Sequence, residues 1–487
     1  GGRFVAYSKR LKGSNGAIQV SAATFFGGEG NEKFVGGVFL NDGSILGVTN
    51  LADLSFLPSV KQTVLGKDTS AAAGDPVPWG KATIDARTTP ALVRYSADLQ
   101  SIQSIVRFSW GAGVVDQVIQ TPSGAILLRG QGLAKLQNLV ESAARNEVVP
   151  NPEAALKAQE KNQPAPADSF IVRLSPDLSK VEWAVVFKHR GIEMGLRPEE
   201  GLLVLSDRTF WVIDAQGHVE DGPVIKTGIS WTRKGPLAVS PLDGSFYIGG
   251  DYNSATGFEP YRNPYLHKMD AQGTVKWTAW NWTGPVVGTY FRQVSDSRAS
   301  GVRFAKNGDI LVIGWSDGGN SVLTNLPYDL EKSHNKYGAF ADMSAANVGS
   351  FCHLLRMDAR TMDVKAGTWW MTYEPYVEKN GKPNSAVCRD IIEMADGRWA
   401  MVGGTAYATI ETPDAWIKPW IAEYKENSDT AKPKAGPVFV MWDGDMRQIL
   451  FCSLTPGVGD QKLATKGKMV LLTGSAKPMF EANGWKG

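Results

Sequence analysis

Cysteine is scarce. Cys352, Cys388 and Cys452 are the three in 487 residues, with no CxxC and no CxxCH spacing. That argues against a disulfide-dense scaffold, an attached haem and a structural zinc site, and leaves room for one bridge. Histidine is nearly as rare, with five in all. Excess charge is missing too: 51 Lys and Arg against 49 Asp and Glu give a formal net charge of +2. With basic residues spread along the chain, nucleic acid has no electrostatic footprint to bind. No apolar run approaches the roughly 18 residues that a membrane-spanning helix needs. Nor is there a GxSxG, GxxxxGK[ST], HExxH or EF-hand pattern, so no nucleophilic or phosphate-binding signature stands out. The chain opens on Gly1-Gly2 rather than methionine, from which we expect an upstream targeting segment and a secreted or periplasmic location.

What is abundant is glycine, 53 residues, and tryptophan, 16 residues, set among short apolar runs. Ala299–Asp317, ASGVRFAKNGDILVIGWSD, shows the pattern: an apolar run, a turn at Asn307-Gly308, and a second apolar run. Asn-Gly between strand-like runs predicts a hairpin whose two-residue turn uses positive φ. The same unit recurs at Phe34–Asn50, Val114–Gly130, Glu193–Asp207, Pro236–Asp251, Arg389–Thr405 and Asp460–Ser475, with turn glycines 43, 124, 201, 244, 308, 397 and 467. A second hairpin type alternates with it, at 92–108, 170–187, 210–224, 265–282, 353–371 and 438–454, and 4–25 at the N-terminus supplies one more.

Two hairpins make one four-stranded blade, so this alternation predicts an all-β chain folded as a single seven-bladed β-propeller over 1–487. The blades fall at about 34–108, 114–187, 193–224, 236–282, 299–371, 389–454, and 460–475 joined with 4–25. In the last, the N-terminal hairpin closes the ring, which protects the sheet edges. Two packed sandwiches are the alternative fold. Extra chain at 51–90, 131–168, 252–264, 318–352 and 406–437 falls on one face, opposite the tight glycine turns. Within 131–168, Leu133, Leu136, Leu139, Val140, Ala143 and Ala144 stand at helical spacing, and a second short helix is expected from Asn151-Pro152. Long loops on a rigid scaffold are where binding usually sits.

The run Met269-Asp270-Ala271-Gln272-Gly273-Thr274-Val275-Lys276-Trp277 resembles the Asp-Ala-x-x-Gly-x-x-x-Trp docking motif of quinoprotein-type propellers, and the repeat pattern is similar to that of secreted bacterial β-propeller-repeat proteins. Asp214-Ala215 and Asp358-Ala359 keep fragments of the motif. The resemblance implies the propeller fold. Quinoprotein dehydrogenases commonly carry an adjacent-cysteine disulfide over the quinone; no two cysteines here are neighbours.

Aligned on their turn glycines, the innermost strands place Val35, Asp116, Glu193, Pro236, Ser300 and Arg389 in register, with Asp460 in the seventh. Asp116, Glu193, Arg389 and Asp460, with His189 from the link before the third blade, are the candidates for acid–base chemistry at the channel mouth. Asp207, Asp251 and Asp317, at strand ends of three successive blades, are the candidate ligands of a hard cation such as calcium. The alternative is a polar channel whose charges pair with one another or with Arg298 and Arg389. Trp79, Trp231, Trp315, Trp416 and Trp420, with His334, lie in or beside the built-up face and are the candidate ligand-binding residues, since a flat ring covers an apolar sugar face. The leading expectation is a binding scaffold for a protein partner or a glycan. A carbohydrate-active hydrolase or lyase comes second and a redox quinoprotein third.

Overall fold

The computed structural model describes residues 2–8, 19–26, 33–51, 59–65, 77–79, 82–84, 89–108, 114–132, 144–148, 168–188, 191–206, 209–225, 235–253, 262–280, 296–316, 325–326, 329–333, 351–370, 386–405, 436–455, 458–466 and 469–475. They form strands and turns, with no helix among them. The fold is an all-β β-propeller.

Six blades follow one another along the chain, each built on four antiparallel strands in sequence order, with a parallel fifth strand added at the outer edge of the first and second. Three belong to one compact unit, Gly1–Lys9, Gln19–Val224 and Ala464–Gly487, and three to a second, Arg10–Ile18 and Ile225–Leu463. In the first unit the first blade runs Lys33–Phe39, Ile45–Leu51, Thr89–Tyr95, Ile102–Phe108. The second runs Val114–Gln120, Ile126–Gly132, Asp168–Leu174, Val181–Phe187, and the third Ile192–Leu196, Leu202–Ser206, Thr209–Ile213, Val219–Asp221. In the second unit the fourth blade is Leu237–Val239, Phe246–Asn253, Arg262–Met269, Val275–Trp280. The fifth is Ser297–Phe304, Ile310–Ser316, Phe351–Met357, Val364–Trp370, and the sixth Ala386–Glu393, Trp399–Thr405, Gly436–Trp442, Ile449–Leu454. In the first unit, Gly2–Ser8 also pairs with both Gln19–Phe26 and Met469–Ser475.

The second strand of a blade reads as a continuous apolar run because both of its faces are covered. Ile45–Leu51 is buried at every position. The apolar clusters accordingly lie between successive sheets. Val48 and Leu92 of the first blade pack with Ile126 and Val172 of the second, and Leu127 and Trp183 of the second with Ile192 and Val204 of the third. Tyr247 and Leu266 pack with Val302 and Val312, and Leu311 and Trp370 with Ile391 and Met401. Each fully buried Leu, Val or Ile contributes about 1.5–3 kcal/mol.

Tryptophan pins blade to blade in the manner of the docking motif, and its partner lies in the next blade. Trp183 Nε1 donates to Ala215 O at 3.0 Å, and Trp277 Nε1 to Ala359 O at 3.1 Å. A Cβ on Gly217 would stand 2.5 Å from the Trp183 ring, so the glycine of this motif makes room for the indole. Asp214-Ala215 and Asp358-Ala359 are thus the receiving halves of the motif.

Three expectations need correction. The inner turns are not two-residue turns: Ala305 N–H donates to Asp309 O, Gly308 N–H donates to Ala305 O, and the positive φ falls on Gly308 (+86°) and not on Asn307. This is a three-residue loop closed by a left-handed residue. In the third blade that residue is Glu200 (φ +62°), so Gly201 is not its turn glycine. Residues 144–148, part of the expected helix, form the strand Ala144–Val148, parallel to Val181–Phe187 at the blade's outer edge. A five-residue strand needs no helical stripe, and Lys61–Leu65 edges the first blade in the same way. Residues 133–143, and the second helix from Asn151-Pro152, lie outside the described residues.

His267 and His353 occupy the third strands of the fourth and fifth blades, fully enclosed. His267 stacks on Tyr265 with ring centroids 4.9 Å apart, and its Nδ1 lies 3.0 Å from Thr278 Oγ1. His353 lies flat over Gly314, where an added Cβ would stand 1.6 Å from its Nε2. Gly314→Ala is therefore expected to destabilise the chain by about 2 kcal/mol through overpacking, read as a lower urea midpoint with an unchanged slope. Burial lowers the pKa of His267 to about 4 and of His353 to about 3, from 6.5. The unfolded chain therefore takes up protons below about pH 6.5 that the native state refuses. Stability is full above that pH and falls by about 1.4 kcal/mol per pH unit for each histidine until its native pKa is reached. Urea titrations at pH 7 and pH 5 check this, and His267→Gln should roughly halve the difference, His353 supplying the rest.

Candidate functional site

The innermost strand of a propeller blade is where the chain can aim polar groups at the central channel. In four blades this strand carries a β-bulge, and the bulge residue is Val35, Asp116, Ser300 or Arg389. A bulge leaves one residue outside the ladder and re-aims its side chain. The third blade has no bulge: Ile192–Leu196 pairs without a break with Leu202–Ser206, and Glu193 sits opposite Leu205. Aligning on Gly201 gave Glu193 the register of Asp116, which it does not share.

The structure nonetheless brings Asp116 and Glu193 together, through a residue the sequence reading passed over. Arg129 lies in Ile126–Gly132 and reaches both. Its Nε donates to Asp116 Oδ1 at 2.7 Å, and its Nη1 donates to Glu193 Oε2 and to Ile192 O, each at 2.8 Å. The side chains are 14% (Arg129), 20% (Asp116) and 39% (Glu193) exposed. Burial works against the charge on Arg129, but Glu193 and Asp116 outweigh it and raise its pKa. The clamp ties the second blade to the third. The signal for it was an arginine inside an otherwise apolar second strand, ILLRG.

Two further networks in which an acid spans neighbouring blades follow the same rule. Glu200 Oε2 accepts from Ser123 Oγ at 2.6 Å and from Arg173 Nη2 at 3.1 Å. Burial opposes its charge, but the Ser123 hydroxyl and Arg173 hold the carboxyl below its usual range. In the second unit, Asp390 Oδ1 accepts from Arg303 Nη2 at 2.8 Å, and its Oδ2 accepts from Leu463 N–H at 3.0 Å.

Of the other candidates, Arg389 is exposed on the sixth blade, in the second unit. Asp460 lies in the strand Val458–Lys466, with its side chain outside the described residues, and His189 lies outside them altogether. Asp251 is buried at the end of Phe246–Asn253, with Arg298 Nε 4.0 Å from its Oδ1. Its proposed companions Asp207 and Asp317 are outside the described residues, among which no three acidic, histidine or cysteine side chains are placed to hold a metal ion. Trp315 is half-buried, with the Arg298 guanidinium 5.8 Å from its ring centroid. Trp79 ends the short strand Val77–Trp79, opposite Ala82. Trp231, Trp416, Trp420 and His334 lie outside the described residues.

A groove of about 680 Å³ opens between the fourth and fifth blades on the side of the tight turns, lined by Ser245, Tyr247, Lys268, Phe304, Asp309 and Lys365 among others. Its charges are engaged within the wall. Asp309 accepts from Lys365 Nζ at 2.6 Å and from Arg356 Nε at 3.0 Å, while Lys268 Nζ donates to Ala359 O at 2.7 Å. Burial lowers the pKa of Lys268.

No family model matches this sequence, and no curated protein matches it. Solved structures do, at low identity. Hydrazine synthase of Kuenenia stuttgartiensis is 11% identical, with 66% of this chain and 70% of that one covered and a TM-score of 0.33. A quinohemoprotein alcohol dehydrogenase from Pseudomonas putida HK5 is 9% identical over 80% of this chain and 62% of its own, with a TM-score of 0.31. The quinohemoprotein alcohol dehydrogenase from Comamonas testosteroni is 9% identical over 86% and 75%, with a TM-score of 0.30.

Proposed function

We propose that this chain is a secreted or periplasmic binding scaffold, a single seven-bladed propeller that engages a protein partner or a glycan on its insertion-bearing face. The pairing of Gly2–Ser8 with Met469–Ser475 supports the seventh blade, since it joins the two ends of the chain in one sheet. The observation that carries the functional reading is the Arg129 clamp. Asp116 and Glu193, two of the carboxylates in best position for acid–base work, are both engaged by one guanidinium. A general acid or base must reach its substrate proton, and here one oxygen of each carboxylate is held by the guanidinium between blades. That weighs against the hydrolase or lyase reading and favours recognition by the five insertions.

Thermal-shift titration with calcium, a chelator, and a panel of acidic and neutral polysaccharides tests this. A ligand held by the native state alone adds about 2.7 kcal/mol of apparent stability at a hundredfold excess over its Kd. The expected result is a rise in Tm with one glycan class, lost when the insertion is shortened to a tight turn between 317 and 351, which leaves the strand Phe351–Met357 whole. If every polysaccharide is silent, a protein partner is the remaining form of the proposal, and capture on the immobilised chain must likewise depend on that insertion. Turnover of a bound glycan that survives the loop truncation would contradict the scaffold reading.

A further inference from the structure

The groove between the fourth and fifth blades holds a buried cation with no acid of its own. Lys268 lies in Arg262–Met269, the third strand of the fourth blade, and lines the groove with only 8% of its surface exposed. Its Nζ donates to Ala359 O at 2.7 Å and stands 5.8 Å from the centroid of the Tyr247 ring. No carboxylate of the described residues pairs with it. The two acids whose charge it feels, Asp243 and Asp358, are held by other groups. Asp243 Oδ1 accepts from the backbone N–H and the hydroxyl of Ser245, at 3.1 and 2.7 Å. Asp358 accepts from Arg360 N–H at 2.8 Å and stands 3.2 Å from Lys365 Nζ. An ammonium has three N–H donors, and the Ala359 carbonyl takes one of them. Two donors of a nine-tenths-buried cation are left for a ligand.

The same groove has an apolar side. Tyr247 and Phe304, one from each blade, meet edge to face with ring centroids 5.7 Å apart, and Phe304 is half-buried. Leu242 is 70% exposed at the turn of the fourth blade, yet a Cβ on Gly308 would stand 3.2 Å from its Cδ1. The leucine therefore leans from its own turn toward that of the fifth blade, with apolar surface still open to water.

We propose that this groove binds a small aromatic carboxylate. The carboxylate accepts from the two remaining N–H donors of Lys268, and the ring lies against Phe304 and Leu242. A buried cation without a counter-ion gains far more from an anion than from a neutral group of the same shape. A ring suits a wall in which aromatic side chains already meet edge to face. The volume of about 680 Å³ is in the range of small-molecule sites. Burial lowers the pKa of Lys268; Asp243 and Asp358 work the other way, and Arg360 and Lys276 add to the lowering. A bound carboxylate supplies the opposite charge that the wall directs elsewhere. The site is independent of whatever the insertions recognise.

The test is ligand-observed NMR and thermal-shift titration of the full chain with 3-phenylpropanoate, its neutral amide 3-phenylpropanamide, and acetate. The acid is expected to bind in the millimolar range or below, and about tenfold or more tighter than either the amide or acetate. Lys268→Met is expected to bring the acid down to the level of the amide. Leu242→Ser, at an exposed position, is expected to weaken acid and amide alike. The comparison of acid with amide uses the unaltered chain, so it decides the question even where Lys268→Met fails to fold. Equal binding of acid and amide, or acetate that matches the aromatic acid, would overturn the proposal. So would an absence of binding at tens of millimolar acid, or acid binding that survives either substitution unchanged.

Discussion

A four-stranded sheet with apolar residues on both faces cannot exist in water alone, and this constraint organises the chain. The wholly buried strand Ile45–Leu51 needs cover on each side, and the neighbouring sheets supply it. The apolar clusters lie between successive blades for that reason, each drawing residues from two of them. Left-handed residues of the outer turns serve the same end. Leu99, Leu178 and Met446 accept positive φ, which costs about 1–2 kcal/mol apiece, and bury their side chains in return.

Where blades meet, polar side chains have to be paired, because an unpaired charge at a seam loses water without compensation. Asp116, Glu193, Glu200 and Asp390 are all treated in this way, with an arginine as partner in each case. Trp183 and Trp277 obey the same rule: each donates its indole N–H to a backbone carbonyl in the next blade. The polar inventory of the described blades therefore reads first as joinery.

Much of this was legible in the sequence, because turn chemistry and period-two apolar runs are local signals. The hairpins at Val114–Gly130 and Ala299–Asp317 have strands where the pattern puts them. What escaped was whatever depends on a neighbour. Glu200 holds the place of a turn glycine because its carboxylate reaches Ser123 and Arg173, residues of the preceding blade that a local reading does not see. Arg129 drew no notice in the sequence, yet it is the hub between Asp116 and Glu193. The strand Ala144–Val148 was hidden by small residues at helical spacing, since an outer edge strand of five residues carries little periodicity of its own. The candidate site was therefore half visible: its acids could be named, while the arginine that occupies them could not.

The central claim is that Asp116 and Glu193 are spent on Arg129 as a structural clamp. A thermodynamic cycle on the folded chain tests it most directly, comparing Arg129→Met, the pair Asp116→Asn with Glu193→Gln, and all three substitutions together. The clamp predicts that Arg129→Met alone costs about 2 kcal/mol, a figure tempered by the partial exposure of Glu193, because two carboxylates are left at the seam. It also predicts that the triple variant recovers most of that loss. Losses that simply add, with no recovery in the triple variant, would show that the carboxylates and the arginine act independently and would contradict the account.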